Sequence, residues 1–197
     1  MSTAAPAVGS VSDWQLPDRG RVGIAGLIVA ESAVFAIFVV AYLYYLGKSV
    51  SGPLPRDVLE LPIVGSILLW SSSVTIHLAV RALRAAEMRR FELWWFATIL
   101  LGALFLAGTG REWYRLIYDE GLTIRTNLFG TTFYSLVGLH ASHVIVGLLM
   151  LTTVLVLALG GHVKVTHARR AEVLSLYWHF VDSVWVVVFL VVYVVGR

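Results

Sequence analysis

Five apolar segments, at residues 22–47, 62–84, 91–110, 128–159 and 172–195, take up most of this chain. A bilayer core about 30 Å thick is crossed by about 20 apolar helical residues, and each segment reaches that length. In lipid every backbone donor and acceptor must be satisfied within the spanning structure, so each segment is expected to be a helix. The alternating segments of a β-barrel are absent. Hydrophobic residues make up 58% of the chain and charged residues 14%, with a mean hydropathy of +0.82, which excludes an ordinary soluble domain. The expected fold is all-α, a polytopic membrane protein built as a bundle of five transmembrane helices. Residues 1–21 are small and polar, and are expected to form a flexible N-terminal tail. Residues 22–197 form a single five-helix transmembrane domain.

The connections between segments are short and carry most of the charge. The fifteen Lys and Arg are scattered among them, which suits topology signals and argues against nucleic acid as a partner. Nine lie on one side: Arg19, Arg21, Arg81, Arg84, Arg89, Arg90, Lys164, Arg169 and Arg170. Six lie on the other: Lys48, Arg56, Arg111, Arg115, Arg125 and Arg197. The positive-inside rule therefore puts the N-terminus in the cytoplasm and the C-terminus outside. Trp14, Trp94, Trp95 and Trp113 fall near segment ends, where interfacial anchors are expected. Cysteine is absent, so disulfides and thiolate metal sites are excluded.

The polar minority inside the spans needs a reason. Glu31, His77, His140, His143, His179 and Asp182 each cost roughly 2.5–3.5 kcal/mol at a helix centre, so such groups normally face protein or water. Counting roughly 1.5 Å per residue from the predicted cytoplasmic ends puts Asp182 level with Glu31 and His179 level with His77. Glu172, Ser175, His179 and Asp182 recur at steps of three and four, as do Ser66, Trp70, Ser73, His77 and Arg81. Each set makes a polar stripe on one helix face. Gly23, Gly26, Gly138, Ser142 and Gly147 are small enough to admit close helix approach.

Three readings are open on these residues alone. They are interhelical hydrogen-bond glue, or a haem or metal site, or steps in a proton path through Glu31 and Asp182. His140 and His143, at i and i+3, share one helix face and suit a single metal ion, whereas a haem takes its axial pair from opposite sides, for which His77 and His179 are better placed by depth. Glu112, beside Arg111, reads locally as half of a salt bridge. No phosphate loop, GxSxG or HExxH is present.

Longer motifs go further. FGTTFYSLVGLHASHVIVG (residues 129–147) and YWHFVDSVW (residues 177–185) resemble two signature helices of subunit III of haem-copper terminal oxidases, the cytochrome c and quinol oxidase family. AESAVFAIF around Glu31, SSSVTIHLA ending near His77 and REWYRL around Glu112 are weaker matches. The resemblance runs from about residue 22 to the C-terminus and is to the five-helix form known in bacteria, so two N-terminal helices of seven-helix relatives are missing. In those relatives the missing helices wall a V-shaped cleft that holds phospholipid.

The resemblance implies an accessory subunit of a proton-pumping oxidase in a bacterial or archaeal cell membrane, with no catalytic or metal residue of its own. Haem and copper, and the reduction of oxygen to water, would belong to partner subunit I. Subunit II, small subunits or a supercomplex are further implied partners, with cytochrome c or quinol as electron donor. The implied work is to stabilise subunit I, bind lipid and support proton uptake. Glu31, His77, Glu112, His140, His143, Glu172, His179 and Asp182 would then form a polar framework and lipid-cleft set. The alternatives are the homologous subunit associated with nitric-oxide reductase and a free-standing proton-coupled transporter.

Overall fold

The computed structural model describes residues 19–196, so the tail's first eighteen residues, Trp14 and Arg197 lie outside the described residues. The chain runs α1 (Arg19–Tyr45), a single short turn α2 (Pro55–Val58), α3 (Ile63–Arg84), α4 (Met88–Tyr118), α5 (Leu128–Leu159) and α6 (Ala168–Val188). A 3-10 turn, Val165–His167, leads into α6, and a π-helical stretch, Phe189–Val195, carries it on without a break. Five helices among the described residues are long and apolar enough to cross a membrane, and no strand occurs there.

Four helices close a ring in which α3 packs on α4, α4 on α5, α5 on α6 and α6 on α3, while α1 lies outside against α5 and α6. The ring is filled by large aromatic side chains, and Trp178 sits at its centre with no exposed surface. Glycines make the seat. A Cβ at Gly102 on α4 or at Gly147 on α5 would come within 2.8 Å of the Trp178 ring. From the third side the Trp178 Nε1–H donates to Ser72 Oγ on α3 at 2.8 Å. One side chain thus ties α6 to all three other members of the ring.

The sharpest difference from the predicted boundaries is at α4, which runs two turns past residue 110. Apolarity ends at Gly110, but Arg, Glu and Leu are good helix formers and their charges find partners. Arg115 donates to Glu60 Oε1 at 2.5 Å and to the Val58 carbonyl at 2.9 Å, and Tyr193 donates to Glu112 at 3.1 Å. Charge ends the apolar run without ending the helix.

Helix ends are specified locally. Asn127 caps α5 by accepting from the Gly130 N–H at 2.8 Å, and its amide donates to the Ser51 and Pro53 carbonyls, which pins the first connection to the start of α5. At the other end of α5, His162 N–H bonds the Leu157 carbonyl and Gly161 N–H the Ala158 carbonyl, a Schellman closure in which Gly161 takes φ +72°. The same closure ends α3, with Ala86 in the left-handed position at φ 62°.

Two expectations about small and aromatic residues change. Nothing lies within 4 Å of a Cβ placed on Gly23 or Gly26, so these glycines are not at a helix contact among the described residues. α1 meets the ring further along, through buried Phe35 and Tyr42. Trp95 is no interfacial anchor either, being fully buried with its Nε1–H donating to the Leu151 carbonyl at 2.9 Å.

Candidate functional site

The buried residues of α1, Phe35 and Tyr42, lie in its second half, and beside its first half, where Ile24 and Ile28 are only partly buried, there is a lateral cleft. The cleft holds about 450 Å³ between Ile24 and Leu27 on α1, Val146 and Met150 on α5, and Leu174 on α6. Its walls are almost wholly apolar, with Glu31, Ser142, His143 and Tyr177 as the polar exceptions. Near the first turns of α1 and α6, Arg21 bridges to Glu172 at 3.3 Å, and Glu172 also pairs with Arg84 at the end of α3.

Glu31 Oε2 lies 3.2 Å from His143 Nε2. The other ring nitrogen, Nδ1, is 2.8 Å from the Leu139 carbonyl, which can only accept, so Nδ1 carries a hydrogen. The Nε2 contact therefore holds one shared proton, as imidazolium with carboxylate or as imidazole with carboxylic acid. The pair is neutral in both forms, which suits an apolar cleft. Phe35 packs its ring 5.0 Å from that of His143, and the Tyr177 hydroxyl donates to the His143 carbonyl at 3.1 Å.

A second polar assembly joins α3 to α6. The Ser73 hydroxyl has one hydrogen, donated to Asp182 Oδ2 in a short bond, so it accepts from His179 Nδ1 at 3.0 Å. Trp185 Nε1–H donates to Ser66 Oγ at 3.0 Å, and the Trp178 bond to Ser72 completes a ladder along the two antiparallel helices. Ser66 and Ser72 turn their own hydrogens back to the Pro62 and Leu69 carbonyls, which leaves their oxygens to accept from the indoles. Asp182 is 4% exposed, and its Oδ1 has no partner among the described residues.

The equal depth expected from the sequence does not bring Asp182 and Glu31 into contact. Asp182 meets Ser73 on α3 and Glu31 meets His143 on α5, because α1 lies outside the ring on the side away from α3. The two histidines of HASH also part company. His143 turns to α1, whereas His140 is fully buried, stacked 5.1 Å from Trp185 with Phe105 edge-on at 6.0 Å. Neither His140 nitrogen has a partner among the described residues. His77 is exposed and makes no hydrogen bond or ion pair to another described residue. Glu112 accepts from Tyr193 on the last turns of the chain, apart from both assemblies.

The described residues contain no group of three or more His, Cys, Asp or Glu side chains that could hold a metal ion, and His140 and His143 do not converge on one point. Five partners were not singled out from the sequence as hydrogen-bonding groups: Ser72, Tyr177, Trp178, Trp185 and Tyr193. Ser72 and the two indoles left a signal, since Ser72 sits six residues from Ser66 while Trp178 and Trp185 sit seven apart. Two indoles two turns apart on one helix ask for two acceptors at matching spacing on its neighbour.

Residues 19–197 match the family described as cytochrome c oxidase subunit III. Cytochrome c oxidase subunit 3 from Synechocystis sp. is 40% identical over 181 residues, covering 90% of this chain and 76% of that protein. The subunit of the same name from Bacillus sp. (strain PS3) is 36% identical and covers 84% and 81%. Quinol oxidase subunit 3 from Bacillus subtilis is 29% identical and covers 91% and 90%.

Proposed function

The chain belongs to the cytochrome c oxidase subunit III family, and on that premise we propose a division of labour within a haem-copper oxidase complex. The redox centres and oxygen reduction reside in partner subunit I, and this chain packs against it as an accessory subunit with no catalytic group of its own. It holds phospholipid in the cleft beside α1, supports proton uptake and prolongs the working life of the complex. Its N-terminus is cytoplasmic and its C-terminus lies outside. Subunit II completes the assembly.

The single observation that carries the lipid role is the apolar cleft with the neutral Glu31–His143 pair on its wall. An acyl chain fits such walls, and a hydrogen-bonding pair without net charge can sit beside it at little electrostatic cost. The Arg21–Glu172–Arg84 cluster near the first turn of α6 adds cationic groups at headgroup level.

The test is Glu31→Gln in the intact complex, read as phospholipid retained per complex, initial oxygen-reduction rate and the number of turnovers before inactivation. Assembly and initial rate should stay near those of the parent complex while lipid retention or sustained turnover falls. Complete loss of oxygen reduction in an assembled, fully haem-loaded complex would mean that Glu31 acts directly in the chemistry, against this assignment.

A further inference from the structure

One face of α3 presents Ile63, Ile67, Trp70, Val74, His77 and Arg81 outward, at alternating steps of four and three. That is the spacing of a helix seam, in which residues separated by 3.5 on average stay in line with a neighbouring helix. The first four are what lipid or a partner helix would equally accept. His77 is not, because it stands two turns from the end of α3, roughly 10 Å from it, too deep for a short imidazole to reach the headgroups.

Within the chain His77 has nothing to bond. Of the seven acidic and histidine groups Glu31, His77, Glu112, His140, His143, His179 and Asp182, five have a hydrogen-bond partner, namely Glu31, His143, Glu112, His179 and Asp182, and His140 is sealed in the aromatic core. Among these seven groups His77 is the one that is exposed with neither protection. The adjoining α6 surface, with exposed Ser183 and half-buried His179, adds polar character to the same side of the bundle. This face lies across the ring from α5, away from α1 and the cleft.

We propose that the outward face of α3 is the docking seam for a transmembrane helix of the large oxidase subunit, and that this helix presents a carboxylate, hydroxyl or free carbonyl to His77 two turns inside the end of α3. The assignment rests on the oxidase reading above and adds to it the surface used and the chemistry of the group that meets it. Ile67, Trp70 and Val74 supply the packing, and His77 fixes the register. Arg81, one turn nearer the end, reaches the headgroup region beside the same helix.

A photo-crosslinking residue at Val74, in the complex purified on this chain, tests the surface, with the same residue at exposed Leu149 on α5 as the comparison site. Val74 should capture the large subunit and Leu149 mainly lipid. His77→Leu and His77→Gln test the chemistry. His77 is exposed and bonds no other described residue, so both variants should fold. His77→Leu should reduce the large subunit recovered after detergent washing by about three- to tenfold, and His77→Gln should restore most of it.

If α3 faces lipid instead, His77→Leu will leave recovery unchanged or improved and Val74 will capture only lipid, which overturns the docking seam while the large subunit still co-purifies. If the unaltered chain brings down no large haem-containing subunit, the oxidase reading itself fails, and the seam with it.

Discussion

At the scale of residues, the Glu31–His143 pair is defined by how many protons it holds. His143 Nδ1 is committed to the Leu139 carbonyl, so Nε2 and Glu31 must share the next proton. Glu31→Gln keeps a hydrogen bond, since the amide can donate to Nε2, but removes the exchangeable proton. Glu31→Leu removes both and leaves Nε2 unsatisfied in a mostly apolar cleft, at a cost of about 1–3 kcal/mol. Thermal unfolding of the detergent-solubilised complex should place the Leu variant clearly below the Gln variant. Equal stability of the two would mean that the pair contributes nothing to holding α1. That these residues needed partners was legible in the sequence, because a carboxyl group or imidazole in an apolar run has few tolerable surroundings. Which partner each takes was not, since depth fixes one coordinate and the order of helices round the ring fixes the other. Asp182 and Glu31 are expected at one depth but are served by different helices.

At the scale of elements, the α3–α6 ladder is the part most nearly written in the sequence. Steps of three and four marked Ser66 and Ser73 on one helix and His179 and Asp182 on the other, and these faces do meet. The tryptophan bonds add to the same interface, and their energies can be separated. A double-mutant cycle on Ser72→Ala and Trp178→Phe should give a coupling of about 0.5–1.5 kcal/mol, and additive effects would show that the 2.8 Å bond carries no stability. Gly147→Ala should destabilise by about 1–3 kcal/mol in the same unfolding assay, because its methyl group would sit 2.8 Å from the Trp178 ring in a site bounded on the far side by Gly102. An unchanged stability would mean that the ring yields without loss. The extension of α4 was hidden for a physical reason. Hydropathy follows the lipid, whereas helical hydrogen bonding continues wherever charged side chains such as Arg115 and Glu112 find partners.

At the scale of the whole molecule, hydropathy alone dictated five spans and an all-α fold, and the family follows from motifs spread along the chain. The position of α1 outside the ring of four was not legible, because its residues are apolar on every side and carry no periodic mark of the face that packs. Its displacement creates the cleft, and the exposed seam on α3 lies on the opposite side of the ring. The bundle therefore offers two different surfaces, one suited to lipid and one to a partner helix. Both readings depend on the chain working inside a haem-copper oxidase. The most direct test is a reduced-minus-oxidised spectrum, with a subunit inventory, of the complex isolated from membranes on this chain. The account predicts haem bands that stay with a large co-purifying subunit and are lost from this chain when the two are separated. A chain that purifies alone as a monodisperse and active transporter, or that keeps a stoichiometric haem after separation, would contradict it.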